Sequence, residues 1–139
     1  MSKYVILTAY EHNGGLIHIG MGNWLSTSWK VYSDGSFEML QEYDEMKFCF
    51  EGVPQPRRTV KNQGKLDDGV LKELKKCISS HKAFPKRGYG CDMDWWEITI
   101  FDSNNQVLDS YKGMVSPKET DETLKGICKV LPNQRSTLL

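Results

Sequence analysis

The sequence has no long apolar run, no close pair of cysteines and no excess of charge of either sign. Each absence removes a class of function. A helix that spans a bilayer needs about 20 consecutive apolar residues, and no stretch approaches that length. Cys49, Cys77, Cys91 and Cys128 are widely spaced, and no histidine sits at ligand spacing from any of them, so no zinc site is expected. Lysine plus arginine and aspartate plus glutamate both count 18, which leaves no long-range field to draw the chain to nucleic acid or an anionic membrane. Also missing are GxGxxG, a phosphate loop with Gly-Lys-Ser/Thr, HExxH and GxSxG, which disfavours nucleotide-dependent enzymes and the common hydrolases. Nothing in the remaining residues calls for a metal, a cofactor or a catalytic set. The N-terminus lacks the basic segment and apolar run of a secretory leader, and two of the cysteines fall on apolar faces of predicted helices. A reducing, cytoplasmic setting is the expectation.

What the chain does have is aromatic mass, 11% of its residues with four tryptophans, so a core of large side chains is expected. Its 139 residues fit one domain over 1–139, able to bury about two thirds of its unfolded surface, with a polar tail from 132 free to fray. Tyr4 to Tyr10 is rich in strand formers, and His12-Asn13-Gly14-Gly15 signals a hairpin before a second strand at Leu16 to Ile19. A loop at Gly20 to Asn23 leads to Trp29 to Tyr32 and Phe37 to Leu40, which flank Ser33-Asp34-Gly35-Ser36. A two-residue Asp34-Gly35 loop would mix charged and apolar side chains on both faces. A three-residue loop with a left-handed Gly35 pairs Val31 with Phe37, Trp29 with Met39 and Lys30 with Glu38, which gives one apolar face and is the register expected.

Met46 to Phe50 reads as a short strand, Val53-Pro54-Gln55-Pro56 interrupts the ladder, and another strand follows at Arg58 to Asn62. Asp67 suits an N-cap, Leu66 and Leu71 a hydrophobic staple, and Val70, Leu71, Leu74, Cys77 and Ile78 one stripe of a helix from Asp68 to Ser80. Residues 81–92 have no regular pattern. Trp96, Ile98 and Ile100 then alternate with Trp95, Glu97, Thr99 and Phe101 in a hairpin that turns at Asp102 to Asn105 and ends near Lys112. Ser116-Pro117-Lys118-Glu119 reads as the start of a last helix to Val130, with Thr120, Leu124, Ile127 and Leu131 on one face and Pro132 ending it.

Strand runs separate from helices predict an α+β fold: an antiparallel sheet of about six or seven strands built from hairpins, with two helices packed on one face. Because adjacent strand residues point to opposite faces, one member of Trp95-Trp96 must leave the Ile98 and Ile100 face. Trp95, Glu97 and Phe101 then form an aromatic and polar surface of the kind enriched at protein interfaces, with Tyr89 and Arg87 of the irregular segment as further contact candidates. The expected function is contact with another protein or a second copy of the chain. The alternative is a small-ligand binder or thiol enzyme around residues 81–94. It would use Cys91, made acidic by nearby Lys86 and Arg87, with His81, Asp92 and Asp94. Nucleic-acid binding would require Arg57, Arg58, Lys61, Lys65, Lys86 and Arg87 to share one face.

Overall fold

Gly35 is the pivot of the first hairpin. It lies at φ 91°, in the left-handed region that L side chains avoid, and donates its N–H to Tyr32 O at 2.9 Å. Asp34 accepts from the Ser36 N–H at 2.9 Å and the Ser36 hydroxyl at 2.6 Å, and these bonds hold its carboxyl below the usual range. The strands therefore pair Val31 with Phe37, Lys30 with Glu38 and Trp29 with Met39, the register expected of the three-residue loop.

The computed structural model describes residues 3–12, 24–44, 57–85, 94–114, 116–117 and 120–132. In chain order they form β1 (Val5–His12), β2 (Trp24–Tyr32), β3 (Ser36–Asp44), β4 (Arg57–Lys65), α1 (Asp68–Ser79), β5 (Trp95–Phe101), β6 (Val107–Gly113) and α2 (Glu122–Val130). The fold is α+β, with six strands in the spatial order β4-β3-β2-β1-β5-β6 and every neighbouring pair antiparallel. The N-terminal strand is thus central, bonded to β2 on one side and to β5, far along the chain, on the other. The strands expected at Leu16 to Ile19 and at Met46 to Phe50 lie outside the described residues. No described helix is long and apolar enough to cross a membrane.

Period-two alternation gives the sheet two unlike faces. Leu7, Ala9, Trp29, Val31, Met39, Trp96, Ile98, Ile100 and Tyr111 are buried and share one core with Leu74 and Ile78 of α1 and Leu124 and Ile127 of α2. Each of the larger aliphatic side chains contributes about 1.5–3 kcal/mol on leaving water, so this face holds the fold together. The Trp29 and Trp96 rings stack with centroids 6.3 Å apart and planes 2° from parallel. Trp29 also donates its Nε1–H to Pro132 O at 2.7 Å, which fixes the chain just past α2 over the sheet.

Helix α1 occupies the expected span. Leu66 is buried and Leu71 half-buried, as a staple requires, although the Asp67 side chain makes no cap bond and only its carbonyl accepts, from the Leu71 N–H at 2.9 Å. Helix α2 departs from expectation: it starts at Glu122, not beside Pro117. Pro117 O instead accepts the Thr120 N–H at 3.2 Å and the Thr120 hydroxyl at 2.9 Å. The cap is Asp121, extended at φ −163°, whose carboxylate accepts from the Thr123 and Leu124 N–H groups. An aspartate acceptor at that position satisfies two of the orphan donors of the first turn, which Ser116 does not do. The two helices meet where a Cβ built on Gly126 would fall 2.9 Å from Cys77 Sγ, so the glycine permits their approach.

Candidate functional site

No described element packs on the other face of the sheet. Its central strands present Thr8, Tyr10 and His12 from β1, Ser26, Ser28 and Lys30 from β2, and Glu38, Leu40 and Glu42 from β3. A groove of about 460 Å³ crosses this surface, lined by Thr8, Ser28, Lys30, Glu38, Leu40 and Lys61 among others. Volumes in this range suit small ligands, although here the walls are short strand side chains on a continuous face.

β5 adds the candidate contact residues. Trp95 lies opposite His12, and Glu97 opposite Tyr10 on one side and Lys112 on the other. Tyr10 and His12 stack with ring centroids 6.1 Å apart. Beyond them Ser26 pairs with both His12 and Glu42, and its hydroxyl donates to Glu42 Oε2 at 3.4 Å. Burial pushes the Tyr10 phenol up, and the charges of Glu42 and Glu97 push it further against an opposing hydrogen bond with Ser26. Both carboxylates therefore act on the same ring. Glu97 Oε1 lies 3.5 Å from Lys112 Nζ, a largely exposed pair of the kind worth about 0–1 kcal/mol.

Trp95 and Glu97 are half-buried on this surface, alternating with buried Trp96 and Ile98. Phe101 is half-buried on the same face but six residues along the strand from Trp95 and four from Glu97, about 20 and 13 Å away at 3.3 Å per residue, so it does not join them. Arg87 and Tyr89 lie outside the described residues. The partners that the structure adds are Tyr10, His12, Ser26 and Glu42. Alternation in the first strand could have found Tyr10, but its meeting with Glu97 depends on the long-range β1 to β5 pairing, which no local pattern encodes.

The thiol reading gains little. His81 Nδ1 is 2.9 Å from Ile78 O, and its Nε2 is 3.7 Å from Asp109 Oδ2. The same oxygen accepts the Phe84 N–H at 2.8 Å, while Asp109 Oδ1 accepts the Ser110 N–H at 2.8 Å. His81 thus belongs to a staple that ties the segment after α1 to the sheet edge. Cys91 and Asp92 lie outside the described residues, and Asp94 is half-buried beside β5. The basic residues of β4 divide between the faces: the Arg58 guanidinium lies 4.8 Å from the Tyr43 ring on the helix side, whereas Lys61 and Lys65 alternate onto the other.

On the helix side the core ends at a buried polar row, Glu11, Thr27 and Gln41, paired directly across β1, β2 and β3. Thr27 Oγ1 accepts the Trp24 indole N–H at 2.8 Å and lies 3.5 Å from Gln41 Nε2. No group of three or more histidine, cysteine, aspartate or glutamate residues placed to hold a metal occurs among the described residues. Compared with protein-family models and with curated proteins, the sequence gives no match, so geometry carries the functional argument.

Proposed function

We propose that this chain is a binding module that receives another protein on the sheet face that no described helix covers, with Trp95 as the anchor. The observation that supports this reading is the division on β5, where the buried Trp96, Ile98 and Ile100 complete the core while Trp95 and Glu97 face away from it beside Tyr10 and His12. A tryptophan is costly to leave in contact with water, and anchors of this type supply much of the affinity of protein interfaces.

The test is capture from native lysate by wild type and Trp95→Ala in parallel, with circular dichroism to show that both are folded. A partner retained by wild type and lost from Trp95→Ala is the expected result; equal capture by both would remove the anchor. A second reading, a small-ligand site, is favoured only by the groove over Thr8, Ser28 and Lys61. Saturable small-molecule binding that Lys61→Ala weakens, without any protein capture, would favour it instead.

A further inference from the structure

The surface around Trp95 has the chemistry of a cation acceptor. Its stacked Tyr10 and His12 rings and the indole of Trp95 occupy neighbouring positions on β1 and β5, with Glu97 opposite Tyr10 and Glu42 two strands away across Ser26. Both carboxylates raise the Tyr10 phenol, but they stand on β3 and β5, three strand spacings or about 14 Å apart, so Glu97 is the one beside the Trp95 surface and Glu42 adds charge at longer range. The paired cation at Glu97 is Lys112, held at 3.5 Å on an exposed part of the sheet, where an incoming cation can replace it at little cost. Towards the groove the balance changes, since Lys30 and Lys61 stand there with Glu38. Positive charge on a partner is therefore best met at the Trp95 end.

Resting on the reading that a protein docks on this face, we propose that the docking segment presents an arginine to the Tyr10–Trp95 surface, with Glu97 as its carboxylate partner and Glu42 adding negative charge from β3. A guanidinium suits the place better than an ammonium. Its planar, weakly hydrated group can stack on an aromatic ring while its edge donates to carboxylates. A bidentate carboxylate contact adds direction that a lysine cannot reproduce.

The probe is the blocked tripeptide acetyl-Gly-Arg-Gly-amide, titrated into isotopically labelled full-length protein while the Trp95 indole N–H resonance, assigned with Trp95→Phe, is followed. Peptides with lysine or glutamate at the centre serve as comparisons. The arginine peptide should give a saturable shift that added salt weakens, the lysine peptide a weaker one and the glutamate peptide none. The near-isosteric double variant Glu42→Gln/Glu97→Gln, checked for folding, should bind the arginine peptide about fivefold less tightly, as expected for the loss of one exposed charge contact and one charge at longer range. Absence of a saturable shift, an equal response to arginine and lysine, any comparable response to glutamate, or unchanged affinity in the double variant would overturn the proposal. If lysate capture still depends on Trp95 while the arginine titration fails, the contact surface stands and the basic partner is withdrawn. If both fail, the contact reading fails with it.

Discussion

On β5, Ile98 and Ile100 are fully buried against α1 and α2, while Glu97 and Thr99, one residue to either side of Ile98, are half-exposed on a face that no described helix covers. β1 repeats the division, with Leu7 and Ala9 on the helix side and Thr8 and Tyr10 on the other. The same backbone thus serves two separable purposes. Side chains of one parity contribute the burial that stabilises the fold, and those of the other parity are free to vary in chemistry because little packing depends on them. The largest expected effect tests this division within two adjacent residues. Ile98→Ala should cost about 2–5 kcal/mol in urea unfolding, as deletions from close-packed cores do. Thr99→Ala should stay within about 0.5 kcal/mol. Comparable losses at the two positions would mean that both faces are packed, and would break the contrast on which the functional reading rests.

The faces were legible in the sequence because they are a period-two property, visible in Trp96, Ile98 and Ile100 without knowledge of any partner strand. The Asp34-Gly35 hairpin was legible for a related reason: its register follows from a glycine able to take φ 91° and from keeping Lys30 opposite Glu38. The pairing of β1 with β5 was not legible, because it joins segments far apart in sequence through backbone bonds that carry no residue preference. The candidate site inherits that limit. Trp95 and Glu97 could be picked out as oddly placed on their own strand, whereas Tyr10, His12 and Glu42 join them only once three hairpin strands and β5 lie side by side. The last helix start was misplaced because Ser116-Pro117 and Asp121-Glu122 both resemble caps, and only the second aims its carboxylate at free N–H groups.

A smaller effect probes how tightly the helix-covered face is closed. Alanine is the better helix former, so in an exposed helix Gly126→Ala would stabilise by about 1 kcal/mol. Here its methyl would fall 2.9 Å from Cys77 Sγ, and the substitution should instead destabilise, by about 1–3 kcal/mol as overpacking typically does. In a Cys77→Ala background most of that penalty should disappear. The double-mutant cycle reads this as a coupling of about 0.5–3 kcal/mol between residues in contact. A gain in stability from Gly126→Ala alone would show that α1 and α2 lie farther apart than the glycine contact implies, and the covered face would be less tightly sealed than the comparison requires.

The smallest expected effect concerns where that cover begins. Ser116 is the helix start that the sequence suggests, but the Asp121 carboxylate alone accepts from the first turn of α2, at 3.2 Å in the case of the Leu124 N–H. Leu124, three residues beyond that cap, is fully buried, so the position of the helix start sets which side chain enters the core. Asp121→Ala should therefore cost about 1 kcal/mol by denaturant unfolding, the usual loss of a capping acceptor. Asp121→Asn should recover most of it, because an amide oxygen can still accept, while Ser116→Ala should change little. The reverse ranking would return the helix start to Ser116 and shift the register by which α2 covers the sheet.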